Sequence, residues 1–182
     1  MTALPAGLTA GTWNVDASHS DFAFRVRHAG VSRVRGTFDV IGGSFTVEDT
    51  FESLSVTAHA DAASVDTGNA DRDAHLQQGD FFLAEEHPQL TFTSTSVVPG
   101  DDDEFTLVGD LTIRGVTKSV EFNATFNGAA EDPYGQTIAG FEASAKIDRR
   151  DFGVAFDAVM PGGDLLVANR VDILIELEAV KA

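Results

Sequence analysis

The residues with the most chemical potential lie in one stretch, residues 65–92, where the alternation of apolar and polar residues found elsewhere stops. Arg72 and His75 are three positions apart, and Arg72 and Leu76 are four apart, so all three lie on or near one face of a helix. Asn69 or Asp71, either of which can cap it, and Gly79, which can end it, predict one short helix, about residues 69–79. An arginine and a histidine beside a leucine suit the head group of an amphiphilic ligand.

Other kinds of chemistry find little support. The chain has no cysteine, which excludes disulfides, thiol catalysis and thiolate metal sites. Ser18-His19-Ser20 lacks the glycine-flanked turn of a serine hydrolase. Asp71 and His75 are four positions apart and could ligate a metal together, but a capping aspartate beside a packed histidine is the commoner arrangement. We therefore predict neither a metal site nor a cofactor.

The elements that must position these residues are β-strands. Phe22, Phe24 and Val26 alternate with small or charged residues, and His28 continues the same face. No helical crossovers separate the strands, so the sheet should be antiparallel. About eight or nine strands with one apolar face can close on themselves and remove their edges, which predicts an all-β antiparallel barrel.

Length and composition suit a single domain with a substantial core. The chain has 182 residues, of which 43% are hydrophobic. We predict one domain over residues 1–182, with residues 1–10 as a flexible N-terminal tail. The aromatic residues are 14 phenylalanines, one tryptophan and one tyrosine, a composition that suits a solid core and equally a lumen lined for an apolar ligand.

The alternation of residues along each strand indicates which side chains face the lumen, where a ligand would contact them. A barrel of about eight strands either fills with side chains or holds one small apolar ligand. We expect the inward faces to line one lumen, with residues 69–82 over or beside its opening. The residues predicted to contact a ligand are Phe22, Phe24, Val26, His28, Phe38, Arg72, His75, Leu76, Phe81, Phe82, Phe92, Phe122, Phe126, Phe141 and Phe152. Candidate partners of a charged head group are His28, Arg72 and His75, with Arg114, Arg149 and Arg150 in reserve.

The charge of the chain excludes some partners. A net charge of -17 disfavours long-range attraction to nucleic acids and to anionic lipid surfaces. Four arginines and no acid lie between Phe22 and Phe38, which we interpret as outward charges on an exposed hairpin. The composition leaves open whether the acidity reflects a high-salt habitat.

The location and assembly of the protein are weakly specified. The first ten residues contain neither a basic residue nor an apolar run, so no secretory leader is predicted and a cytoplasmic location is expected. No segment approaches the ~20 apolar residues of a membrane span. The sequence leaves open whether the chain forms a homodimer.

Four blocks, in order over about residues 12–180, carry a resemblance to the YceI-like proteins. They are Trp13-x-x-Asp16-x-x-His19-Ser20-x-x-x-Phe24-x-Val26-x-His28 with Gly36-x-Phe38; Asp66-Thr67-Gly68, Arg72-Asp73-x-His75-Leu76, Phe81-Phe82, Pro88 and Phe92; Gly109-x-Leu111-Thr112-Ile113-Arg114-Gly115-Val116-Thr117-Lys118; and Arg150-Asp151-Phe152-Gly153. The resemblance implies a lipocalin-like barrel around a hydrophobic cavity that binds polyisoprenoids or similar amphiphiles, in a family not known as enzymes. Many members carry a secretory leader and act in the periplasm, whereas none is seen here. The matched motifs assign no ligand contact to any single residue.

Three functions remain open at this stage. The favoured one is a carrier or sequestering protein for a long-chain amphiphilic lipid, such as a prenyl phosphate or an isoprenoid quinone. The alternative is an enzyme that acts on a bound isoprenoid or lipid, with His28 or His75 as acid or base. The third is a barrel filled by its own side chains that serves only in interactions.

Overall fold

The computed structural model describes residues 2–182, which form ten β-strands, one α-helix and four short 3-10 helices. The strands and the helix are β1 (Gly11–Val15), β2 (Asp21–His28), β3 (Ser32–Phe38), β4 (Val40–Val47), β5 (Ser55–Asp61), α1 (Ala70–Leu76), β6 (Gln89–Pro99), β7 (Glu104–Ile113), β8 (Val116–Glu131), β9 (Thr137–Asp148) and β10 (Val167–Lys181). No helix among these residues is long and apolar enough to span a bilayer.

The strands close into an antiparallel barrel with eight positions around its wall. Neighbours run in the order β1, β4, β5, β6, β7, β8, β9 and β10, and β10 pairs again with β1. The pair β2 and β3 joins the same edge of β10 beyond β1. β1 and β2 therefore act as one strand broken by a 3-10 turn at Ala17–His19, and β3 and β4 act as a second broken strand. The predicted all-β, lipocalin-like antiparallel barrel is confirmed.

A glycine pair lets the second broken strand bend. The pairing of β4 with β5 shifts register between Val40 and Gly42. Gly43 has a φ of +153°, and a Cβ built there would lie 2.2 Å from the carbonyl oxygen of Thr57. Only glycine fits so close to a neighbouring backbone, which explains why the strand can bulge here.

The helix α1 begins as predicted and ends earlier. The side chain of Asn69 accepts a hydrogen bond from the backbone N–H of Arg72, which caps the first turn. The helix ends at Leu76, three residues before the glycine expected to stop it. There the chain turns back, because the N–H of Phe82 donates to the carbonyl of Leu76 at 3.0 Å. This early turn brings the two phenylalanines after the helix, at 81 and 82, onto the barrel.

The two ends of the barrel differ. One end, here called the helix end, carries α1 in the segment 62–88, the β2–β3 turn and the loop 149–166 between β9 and β10. The opposite end is packed with aromatic rings: Trp13 is 0% exposed and stacks on Phe45 at 5.6 Å, and Phe51 packs edge-on against Phe105 at 4.9 Å.

Residues 2–10, expected as a flexible tail, lie against this packed end. Leu8 is buried in the core, and the N–H of Thr2 donates to the carboxylate of Glu52 at 2.8 Å. Ala3 also forms an antiparallel bridge with Thr50. Because Leu8 is apolar, its burial stabilises the segment in addition to these hydrogen bonds.

Candidate functional site

The first cavity lies in the middle of the barrel and is called here the mid-barrel chamber. Its empty volume is about 1060 Å³, part of it open to solvent. Inward residues of β1, β2 and β4 to β10 form its wall, and most of them are apolar; the phenylalanines among them are Phe22, Phe45, Phe92, Phe105, Phe122 and Phe141. Phe92 packs edge-on against Phe122 with ring centroids 5.2 Å apart. A space with this apolar lining suits an apolar chain.

The second cavity, the helix-end chamber, lies under α1 and the loop 149–166. Its empty volume is about 1180 Å³, again partly open to solvent. The inner face of the β2–β3 hairpin contributes Phe24, Val26 and Val34, and the segment after α1 contributes Phe81 and Phe82. Unlike the mid-barrel chamber, this one is lined by two arginines, Arg72 and Arg149, and the histidines His28 and His75 also line it.

The two chambers adjoin. Phe22, Leu90 and Ile173 line both of them, so these three side chains stand between the chambers. The ring of Phe22 is held by Phe38, with centroids 5.3 Å apart. The two chambers therefore follow one another from the helix end into the middle of the barrel.

Arg72 lies at the rim of the helix-end chamber and is held by Thr67. Its Nε donates to the hydroxyl of Thr67 at 2.7 Å, and its Nη2 donates to the carbonyl of the same residue at 2.9 Å. Asp73 accepts hydrogen bonds from the N–H and the hydroxyl of Thr67 and not from Arg72. The arginine is therefore oriented without an acid partner, and its charge stays available to an anionic group at the rim.

His75 joins the two segments that cover the chamber. Its ring lies edge-on to Phe81 at 5.1 Å and to Phe156 at 5.5 Å, and those two rings stack at 4.9 Å. Nε2 of His75 lies 2.7 Å from a carboxylate oxygen of Asp80. The aromatic group thus connects the segment after α1 with the loop 149–166.

Arg149 is the most unusual charged residue of the described chain, since its exposed fraction is only 4%. It donates from Nη1 to the carbonyl of Val154 at 2.7 Å, from Nε to that of Ala168 at 3.1 Å and from Nη2 to that of Val167 at 3.3 Å. Burial lowers the pKa of Arg149, and the nearby carboxylate of Asp157 partly offsets this. An arginine keeps its proton in proteins, so a cation is fixed in the wall of the helix-end chamber.

The structure brings most of the predicted ligand contacts together. Those that line the helix-end chamber are Phe22, Phe24, Val26, His28, Phe38, Arg72, His75, Leu76, Phe81, Phe82 and Phe152. Phe22, Phe92, Phe122 and Phe141 line the mid-barrel chamber. Phe126 lines neither chamber. It shares the inward face of Phe122, but it lies nearer the packed end, where its ring contacts Phe141 at 5.2 Å.

Some lining residues were missed by the sequence prediction. Phe45, Val56 and Phe105 line the mid-barrel chamber and stand in phase with residues already recognised as inward, so the alternation contained the signal. Phe156 and Leu166 line the helix-end chamber from an irregular loop, where no period marks an inward face.

Outside the chambers, Asp16, His19 and Glu178 form a small polar cluster at the break between β1 and β2. Their ligand-type atoms lie within 4.8 Å of one another. Hydrogen bonds from Ser18 and then from His19 lower the pKa of Asp16 to about 2, and Asp16 in turn raises the pKa of His19. These bonds account for the geometry of the cluster, which fixes the 3-10 turn.

Comparisons with known proteins agree with this architecture. Residues 13–179 match the family model of the YceI-like domain. Protein YceI of Escherichia coli O157:H7 is 40% identical over 169 residues, which cover 91% of this chain and 84% of that protein. Among solved structures, BcnA of Burkholderia cenocepacia has a TM-score of 0.78 at 23% identity and covers 90% of this chain and 98% of its own. A polyisoprenoid binding domain from Saccharophagus degradans, implicated in plant cell wall breakdown, has a TM-score of 0.71 at 14% identity, with 96% and 100% covered. At these identities, both structures show similarity in fold.

Proposed function

The chain belongs to the YceI-like family, and on that premise we propose that it binds a long-chain amphiphilic lipid, most simply a polyisoprenoid, as a carrier or sequestering protein. The observation that carries the proposal is the pair of adjoining apolar chambers inside the barrel. The similarity in fold to the polyisoprenoid binding domain from Saccharophagus degradans supports the same ligand class.

The chambers suggest how the ligand is oriented. The apolar chain occupies the mid-barrel chamber, whose polar lining is sparse. The head group lies at the helix end, where Arg72 and His28 reach the chamber and Arg149 adds a fixed positive charge. This arrangement favours an anionic head such as a prenyl phosphate, because a charge-assisted hydrogen bond is stronger than a neutral one.

The affinity gained from each isoprene unit follows from the apolar surface that the ligand buries. Each buried CH2 contributes roughly 0.8 kcal/mol, so a five-carbon isoprene unit contributes up to about 4 kcal/mol. Affinity should therefore rise steeply with chain length until the chambers are full and then level off.

Filling the mid-barrel chamber tests this proposal. Ala143 lines that chamber, and Ala143→Phe should weaken binding of a long prenyl probe at least about tenfold while sparing a short one, because only the long chain needs the lost space. Ala130 is exposed on β8 and lines neither chamber, so Ala130→Phe is the matched control. Fluorescent prenyl probes of graded length measure the affinities. Affinity independent of chain length, or equal effects of the two substitutions, contradicts a lumen that holds the chain.

The identity of the natural ligand is addressed by native mass spectrometry of the purified protein, followed by solvent extraction. Recovery of an unchanged lipid supports a carrier. The alternative, acid–base catalysis by His28 and His75, predicts turnover of a labelled prenyl substrate that is lost when these histidines are replaced.

A further inference from the structure

The outer face of the β2–β3 hairpin concentrates positive charge in a chain whose net charge is -17. Arg25, Arg27, Arg33 and Arg35 alternate with the inward residues of the two strands and so share the outer face. The register places Arg25 opposite Arg35 and Arg27 opposite Arg33. Like charges directly opposite each other destabilise a sheet, so two such pairs in one hairpin call for an explanation other than stability.

The two arginine pairs differ in their acid partners. Toward the middle of the barrel, Arg35 forms an ion pair with Asp21 at 3.1 Å, whereas Arg25 stands opposite Asp172 of β10 but forms no ion pair among the described residues. Nearer the tip, Arg27 donates only to the carbonyl of the turn residue Gly30, at 3.1 Å. Neither Arg27 nor Arg33 forms an ion pair with any acid in the described part of the chain. The charge near the tip is therefore open to an external anion.

The tip itself is apolar and exposed. Val31 has an exposed fraction of 87%. Ala29 and Gly30 both have positive φ, which forms the tight turn that carries Val31, and the N–H of Ala29 donates to the carbonyl of Leu166 at 2.8 Å. That bond ties the tip to the loop 149–166, which covers the helix-end chamber. The opposite face of the hairpin lines the same chamber, so the tip stands beside its opening.

A second exposed apolar tip provides a comparison. Tyr134, in the β8–β9 turn, is 89% exposed, but it lies at the other end of the barrel and follows Glu131 and Asp132. The two tips are alike in exposure and opposite in the charge beside them. An apolar residue flanked by unpaired arginines suits a surface of phosphate head groups over hydrocarbon, whereas one flanked by acids does not.

We propose that the tip of the β2–β3 hairpin docks the helix end of the barrel on an anionic phospholipid bilayer, so that the opening of the helix-end chamber faces the membrane in which an apolar ligand dissolves. The inference rests on the proposed lipid-binding function and names the surface from which the ligand is exchanged. The net charge opposes approach from a distance, but charges farther away than about 8 Å are largely screened at physiological ionic strength. Contact is therefore decided locally, by Arg27, Arg33 and Val31.

Vesicle flotation tests the docking surface. The ligand-free protein should bind vesicles of phosphatidylglycerol and phosphatidylcholine more tightly than vesicles of phosphatidylcholine alone. Arg27→Gln combined with Arg33→Gln should weaken binding about 25-fold, about fivefold for each arginine at an anionic surface. Val31→Asp should weaken it further, and Tyr134→Asp, the matched control, should not. Equal loss with Tyr134→Asp, or equal binding to both kinds of vesicle, overturns the proposal.

A second measurement separates this inference from the proposed function. The docking variants lie outside both chambers, so their affinity for a soluble prenyl probe without vesicles should equal that of the unchanged protein. Vesicle binding without probe binding contradicts the carrier function and supports the docking surface. Probe binding without vesicle binding supports the carrier function and contradicts the docking surface. A concentration-dependent dimer that the same substitutions abolish, without vesicle binding, assigns the hairpin tip to a second copy of the chain and overturns docking on lipid.

Discussion

Replacing Arg149 tests whether one buried cation holds the cover of the helix-end chamber. Arg149→Met keeps an unbranched apolar stem and removes the donors that now satisfy the carbonyls of Val154, Val167 and Ala168, at both ends of the loop. Each buried carbonyl left without its donor costs about 1–3 kcal/mol. Local detachment of the loop can lower this cost, since water then reaches the carbonyls. We expect the free energy of unfolding in urea to fall by at least about 2 kcal/mol.

Two further measurements sharpen the test. Hydrogen exchange should quicken at the amides of Met160 and Leu166, whose acceptors lie inside the loop, and a bound prenyl probe should dissociate faster. Arg150→Met is the matched control, because that neighbouring arginine is exposed and its partner is Asp148. It should leave loop exchange and probe dissociation unchanged. A loss of stability below about 1 kcal/mol for Arg149→Met, with unchanged exchange, refutes the view that the arginine organises the loop.

The remaining predictions concern the bulge and the polar cluster. Gly43→Ala should lower the free energy of unfolding in urea by about 1–3 kcal/mol or more, because the new Cβ meets the carbonyl of Thr57. Gly162 has open space around it, so Gly162→Ala, the control, should not destabilise the protein. Equal effects of the two substitutions would contradict the steric explanation. Asp16 has its pKa lowered from 3.8 to about 2, so its contribution to stability is present above its ordinary pKa and is lost as the pH falls through this interval. In thermal melts, the Tm of Asp16→Asn should therefore fall less over this interval than the Tm of the unchanged protein. His19 has a raised pKa, so its contribution is complete below about 6.5 and fades as the pH rises above it; a constant gap in Tm between the unchanged protein and His19→Gln from pH 6 to 9 would contradict this.

The sequence predicts most of the lumen because a barrel wall has a simple geometry. Successive residues of a strand face opposite sides, so the phase of Phe22 and Phe24 was enough to place them inside. The start of α1 was equally readable, since Asn69 is a strong cap. Its end was not, because the turn after Leu76 depends on hydrogen bonds from residues farther along the chain.

Long-range packing decided what the sequence could not show. Arg149 and Arg150 are adjacent and chemically alike, yet one is buried and the other exposed, because carbonyls at the start of β10 contact only the first. Phe156 lies in an irregular segment and owes its place to the rings of His75 and Phe81. Neither outcome follows from local propensity or period.

The pairing of β1 with β10 also sets the order in which the molecule can assemble. Trp13 stands opposite Lys181, whereas β6 to β10 each pair with their neighbour along the chain. Contacts between residues far apart in sequence form slowly, because a large loop must be closed before they gain any stabilisation. The meander from β6 to β10 is therefore the natural early structure, and closure against the N-terminal strand comes last. An enclosed lumen exists only once the C-terminal strand has been synthesised, and until then the apolar lining is the open face of a curved sheet.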